Sequence, residues 1–198
     1  MQQQFWDQRY AENETVYGNE PNAFFKQFID LRKPGSILLP AEGEGRNAIY
    51  AAKKGWVVDA FDFSTVARDK ALFNATGEQV KINYDIKAIE SFRAAKLYDA
   101  VALIYVHMAP AARKRFHQEI INSIKPGGYL ILEAFGREQL KLNSGGPKDE
   151  NQLYDAPSLC DDFRSLHILS CEQKEVNLAE GAFHEGKASV LRFIGQRI

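Results

Sequence analysis

Glu42-Gly43-Glu44-Gly45-Arg46-Asn47-Ala48 stands between a short β-rich run, Ser36 to Pro40, and a helix-length segment that reaches Ala52. Glycines where a strand hands over to a helix let the backbone turn sharply and approach a ligand closely. The start of the helix adds unpaired N–H groups. Gly43, Gly45 and Ala48 spell GxGxxA. Asp62 follows the first glycine at roughly the twenty-residue spacing from which a carboxylate reaches ribose hydroxyls. A tight turn without a ligand is the plain alternative, and the position of Asp62 at the end of the next β-rich run argues against it.

Outward from this turn the pattern repeats. Trp56 to Phe61 reads as a second strand, Ser64 as the N-cap of a helix to about Ala75, and Val80 to Tyr84 as a third strand. Tyr98 to Val106 (YDAVALIYV) is apolar throughout, as a strand buried on both faces requires. Pro110 suits the first turn of a helix whose Phe116, Ile120, Ile121 and Ile124 share a face, and Lys125-Pro126-Gly127-Gly128 stops it. Tyr129 to Phe135 is a fifth strand. Gly136 to Leu153 is polar and too long for an ordinary connector, which makes it a candidate lid or substrate loop. After a short helix from about Pro157, two β-rich segments, Leu166 to Leu178 and Ala188 to Gly195, are separated by a turn holding Gly181 and Gly186, so they must pair antiparallel. Alternating strands and helices give an α/β fold with a mostly parallel sheet.

Composition narrows the function. The 198 residues, 45% hydrophobic, form one cored domain with no linker composition to divide it. Basic residues number 25 and acidic residues 26, with no basic stripe to follow a phosphate backbone, so no nucleic-acid partner is expected. No apolar run approaches the ~20 residues of a membrane span, and the amino-terminal residues lack signal-peptide features; a cytoplasmic protein without membrane contact is expected. Cys160 and Cys171 show neither metal-ligand nor disulfide spacing, and no metal site is expected. The oligomeric state is not legible.

Two enzyme readings compete at the glycine turn. A nicotinamide dehydrogenase would extend into further strands or a second domain, whereas here the chain closes on an antiparallel pair and places about 35 residues before the first strand. The balance favours a methyltransferase. The chain resembles the class I S-adenosylmethionine-dependent methyltransferases, and within them the bacterial tellurite-resistance and thiopurine methyltransferase-like group. The resemblance rests on Trp6-Asp7-Gln8-Arg9-Tyr10, Tyr17-Gly18-Asn19-Glu20-Pro21-Asn22, the glycine turn, Asp62-Phe63-Ser64, Lys125-Pro126-Gly127-Gly128, Gly145-Gly146-Pro147 and His184-Glu185-Gly186-Lys187-Ala188, in that order. It implies a three-layer, Rossmann-like fold, a seven-stranded sheet with an antiparallel last strand, and a helical cap over the cofactor site made by residues 1–34. The chain departs from the family where the first strand commonly carries an aspartate and a glycine-cysteine pair follows; Leu39, Pro40, Ala41 and Glu42 stand there.

The cofactor expected is S-adenosyl-L-methionine, held by Glu42, Gly43, Glu44, Gly45 and Arg46 at the turn, Asp62, Phe63 and Ser64 after the second strand, Asp85 and Ile86 after the third, and Tyr105. Asp62 is assigned the ribose hydroxyls, and Glu42, as the nearest carboxylate, the ammonium of the methionine end. His107, at the carboxyl end of the central strand, is a candidate general base. The face of Tyr17 is a candidate partner for the sulfonium, and His184 is a candidate substrate-side residue. The partner is a small-molecule methyl acceptor: a thiol or a selenium or tellurium oxyanion would need positioning alone, whereas an oxygen or nitrogen acceptor would need a base. The rival classes are a non-catalytic protein that binds S-adenosylmethionine or a nucleotide, and an NAD-dependent oxidoreductase.

Overall fold

The computed structural model describes residues 2–198. Its elements are α1 (Gln2–Glu12), α2 (Ala23–Asp30), β1 (Ser36–Pro40), α3 (Arg46–Lys53), β2 (Val57–Asp62), α4 (Thr65–Gly77), β3 (Asn83–Ile86), β4 (Tyr98–Ile104), α5 (Pro110–Asn122), β5 (Ile124–Phe135), α6 (Ala156–Asp162), β6 (His167–Ala179) and β7 (Glu185–Gln196). One seven-stranded sheet has the order β3-β2-β1-β4-β5-β7-β6. β1 to β5 pair parallel, and β7 runs antiparallel to both its neighbours, β5 and β6. From β1 the chain builds outward in one direction to β3, then returns to β4 and builds the other way. The reversal falls between β1 and β4, and open α/β sheets bind their ligands in the crevice outside the carboxyl ends of such a strand pair.

Alternation along the strands covers both faces. Leu38, Val101, Leu103, Leu130 and Leu132 point to a core completed by Phe116 and Ile120 of α5 and Leu159 of α6. Ile37, Leu39, Ala100, Ala102 and Ile131 point to the opposite core, with Phe25 and Ile29 of α2, Ala48 of α3 and Ala71 of α4. Local signals set the helix starts: Asn22 accepts from Phe25 N, Ser64 from Ala67 N and Asp155 from Ser158 N, while Pro110 opens α5. Among the described residues no helix is long and apolar enough to cross a membrane.

Two expectations are corrected. The third strand lies at Asn83–Ile86 rather than Val80 to Tyr84. Ile124, expected on the face of α5, instead opens β5, because Lys125 to Gly128 stay within the ladder: Gly127 N donates to Arg197 O and Arg197 N to Gly128 O. The stretch 136–153 is tied to β7, with Gln139 accepting from Ser189 N and Ser144 Oγ donating to Lys187 O.

Candidate active site

Three residues with left-handed backbone, Ala41 (φ 51°), Gly43 (φ 64°) and Gly45 (φ 85°), coil the chain out of β1 into α3. The glycines serve different ends. A Cβ on Gly45 would lie 2.7 Å from Ala71 Cβ, so its bareness lets α3 pack on α4; a Cβ on Gly43 would meet Tyr10 Oη of α1 at 2.8 Å. Gly45 is the N-cap of α3 and has no side chain to cap with. Glu42 supplies the missing cap: its carboxylate accepts from Ala48 N at 2.7 Å and from Asn47 Nδ2 at 3.3 Å. Burial drives its carboxyl up to about 7 against those bonds. One bond falls on each oxygen, so the carboxylate caps the helix start and holds the turn in shape. Glu44 is likewise engaged, accepting from Val16 N and from Lys70 Nζ.

Asp62 ends β2 beneath the turn, accepting from Gly43 N at 3.2 Å and Ser64 N at 2.9 Å. Burial raises its pKa, opposed by the N–H groups of Ser64, Gly43 and Phe63. Tyr84 Oη donates to Gly43 O at 2.6 Å, and Ser64 Oγ donates to Asp7 of α1. The segment between α1 and α2 crosses this cluster as a strap. Arg46 donates to Tyr17 O, Glu20 O and Glu180, so the turn, the strap and the β6–β7 turn are joined through one guanidinium. Asp85 and Ile86 lie at the end of β3, both exposed, beside Asp62 in the ladder but outside this hydrogen-bonded cluster.

A second group lies at the ends of β4 and β5. Tyr105 leaves β4 with φ 54°, a left-handed conformation unusual for a bulky residue. Its Oη donates to Glu133 at 3.0 Å, and Glu133, 1% exposed, also accepts from Asn22 Nδ2 and Arg192 Nε. His107 Nδ1 meets Gln152 O at 2.9 Å, and Nε2 accepts from Phe135 N at 3.3 Å. Burial lowers its pKa to about 4. With both nitrogens taken by backbone, His107 has none to accept a substrate proton and acts as a strut, which corrects its expected role as a base. Tyr17 and His184 face each other, ring centroids 4.4 Å apart.

Glu133, Glu180 and Asn22 join the site although no motif marks them as site residues. Glu133 carried a signal, a charge inside the apolar run YLILEAF, whereas Glu180 in its turn carried none. Among the described residues no group of acids, histidines and cysteines is placed to hold a metal ion.

A family model described as a methyltransferase domain matches residues 37–128, from β1 through the start of β5. The match takes in just under half of the chain. Among curated proteins, the chain is 33% identical over 101 residues to the ubiquinone biosynthesis O-methyltransferase of Rickettsia akari. That match covers 51% of the chain and 40% of the relative, so the chain aligns with less than half of that enzyme's length. Its fold is also that of TehB from Haemophilus influenzae, with a TM-score of 0.76 at 13% identity over 99% of this chain and 67% of that one. A similar likeness holds to the N-methyltransferase NodS from Bradyrhizobium japonicum, solved with S-adenosylhomocysteine: TM-score 0.73, 14% identity, 98% and 97% covered.

Proposed function

We propose that this chain transfers a methyl group from S-adenosylmethionine to a small-molecule acceptor in the cytoplasm. The observation that carries the reading is the β1–β4 reversal, where a glycine turn sits over the buried carboxylate of Asp62. The residues suit the cofactor. Each Asp62 oxygen uses one lone pair on a backbone N–H and keeps another for a ribose hydroxyl. The exposed Ile86 and Asp85 offer an apolar face and an acceptor to a base. Tyr17 and Tyr105 offer ring faces to a sulfonium.

S-adenosylmethionine would supply a methyl group on a positively charged sulfur. Asp62, with Phe63 and Ser64 shaping its loop, holds the nucleoside end; Gly43, Glu44, Gly45 and Arg46 border the methionine end, with Glu42 keeping the turn in shape. The strap carrying Tyr17 excludes water over the crevice, so that alignment of donor and acceptor, which contributes up to ~7–11 kcal/mol in closed sites, does much of the work. The acceptor is a small molecule, for which a thiol or a selenium or tellurium oxyanion is the starting candidate.

Calorimetry of the purified protein with S-adenosylhomocysteine, S-adenosylmethionine and NAD tests the reading. Binding of the first two without NAD is expected, as is a higher melting temperature, by about 2.7 kcal/mol of stability at a hundredfold excess over Kd. Binding of NAD alone would replace the reading with an oxidoreductase. Binding of S-adenosylmethionine with no methyl transfer to any small acceptor would leave a non-catalytic binder.

A further inference from the structure

Three motifs outside the glycine turn, Tyr17-Gly18, Gly145-Gly146 and His184-Glu185-Gly186, meet in space. The turn between β6 and β7 closes on itself, Glu180 N donating to His184 O at 2.9 Å and His184 N to Gly181 O at 3.0 Å. It brings His184 under the strap at the ends of β4 and β5, with its ring 4.5 Å from Tyr105 and 5.2 Å from Phe135. Bare glycines make the room: a Cβ on Gly145 would lie 2.7 Å from His184 Cδ2, and one on Gly181 2.8 Å from Gly18 N. The His184 side chain is 6% exposed, and Nδ1 is buried without a hydrogen-bond partner among the described residues. Burial of an unpaired polar group is costly and asks for a reason. The nearest acceptor for Nδ1 is Glu180 Oε2 at 3.6 Å, itself fixed by Arg46, while Asn22 holds the other oxygen.

Resting on the methyltransferase reading, we propose that His184, oriented by Glu180, takes the proton from the methyl acceptor. The acceptor is then a weak acid that reaches the site with its proton, a thiol or a phenol, rather than an oxyanion that arrives ionised. With Nδ1–H turned to Glu180, Nε2 receives the proton. As a lone pair of the acceptor atom bonds to the methyl carbon, the carbon–sulfur bond breaks and both its electrons go to sulfur. One positive charge leaves sulfur and one appears on the imidazolium beside the Glu180 carboxylate, so charge balances.

No other group nearby can do this. His107 has both nitrogens occupied. His117 is bound to Asp162 near α6, and burial raises the Tyr17 and Tyr105 pKa values. His184 faces Glu180 from its own turn, Arg46 from α3, Glu133 from β5, Tyr105 and His107 beyond β4, and Tyr17 from the strap; Arg9 of α1 lies over the neighbouring Phe183. Burial, then Arg46, lowers its pKa against the pull of Glu180 and Glu133. The imidazole therefore stays neutral and able to accept a proton at pH 7.

The test compares wild type, H184N and E180Q, with S-adenosylhomocysteine affinity measured first by calorimetry. Absence of binding to wild type would overturn the methyltransferase reading itself. Given binding, radiolabelled methyl transfer is measured to phenol and benzyl mercaptan as protonated probes and to selenite as an ionised one. H184N is expected to keep the affinity within about twofold while losing 10²–10⁴-fold in transfer to the protonated probes, the usual contribution of a positioned base. Independently of turnover, the imidazole NMR signal absent in H184N should move when S-adenosylhomocysteine is added, and its titration midpoint should fall in E180Q. Transfer by H184N at the wild-type rate, transfer to selenite alone, or a His184 signal indifferent to both S-adenosylhomocysteine and E180Q would overturn the proposal.

Discussion

Glu42 is a carboxyl held where charge is unwelcome. Its folded pKa of about 7 stands above the ordinary 4.5, with burial as the cause. Between those two values the unfolded chain gives up the proton while the folded chain keeps it. Stability from this residue is therefore present at low pH, falls as pH rises through the window, and levels off above 7. Glu42→Gln can still accept from Ala48 N and carries no charge. The variant should gain on wild type by about 3 kcal/mol between pH 4.5 and 8, read as diverging melting temperatures. Parallel melting curves would show that Glu42 is ionised in the folded state across the range. Asp62 makes a different prediction, because its carboxylate both braces the turn and faces the crevice. Asp62→Ala should weaken S-adenosylhomocysteine binding by about 1.5–3 kcal/mol and also lower the melting temperature, as Gly43 N and Ser64 N lose their acceptor. Lower stability with unchanged affinity would make Asp62 a brace alone.

At the scale of elements, the strap between α1 and α2 and the β6–β7 turn meet glycine to glycine. Gly181 (φ 82°) and Gly186 (φ 97°) both have backbone that favours glycine, yet a Cβ on Gly181 would strike Gly18 N and Val16 O, while one on Gly186 meets nothing within 4 Å. Gly186→Ala should therefore show only backbone strain, roughly 1–2 kcal/mol. Gly181→Ala should cost more and speed protease cleavage of the strap; equal effects would mean that the strap yields without loss. The same contrast of local and distant explains what the sequence revealed. Helix starts, the antiparallel closing pair and the glycine turn with Asp62 are short-range patterns and could be read. The third strand is poorly marked because it is a four-residue edge strand in which Asn83, Asp85 and Ile86 are all exposed, so its hydrophobic pattern is weak; Val80 and Ile82 precede it. Among the site residues, Asp62 was legible through its spacing from Gly43. The Asn22 bonds to Glu133 and Glu180 span 111 and 158 residues, and no local pattern encodes such meetings.

Across the whole molecule, Glu133 is the point at which strap, sheet and closing hairpin are held together. Its carboxylate receives Asn22 from the start of α2, Tyr105 from the end of β4 and Arg192 from β7. Arg192 also lies over the ring of Phe24, 4.9 Å from its centroid, so its guanidinium is packed as well as paired. A buried pair of this kind adds little over an apolar replacement of both partners, but removing one partner strands the other's charge, typically at about 3–5 kcal/mol. Arg192→Met should therefore destabilise strongly, leaving Glu133 in the core with only two neutral donors. Glu133→Gln should cost less, since Gln can still accept from Asn22 and Tyr105. The double variant Arg192→Met/Glu133→Gln should be more stable than Arg192→Met alone, a non-additivity that the double-mutant cycle isolates because the residues touch. Chemical denaturation of the four proteins measures it. If the two losses simply add, the charge on Glu133 is compensated from elsewhere, and the Arg192 contribution lies in its packing on Phe24.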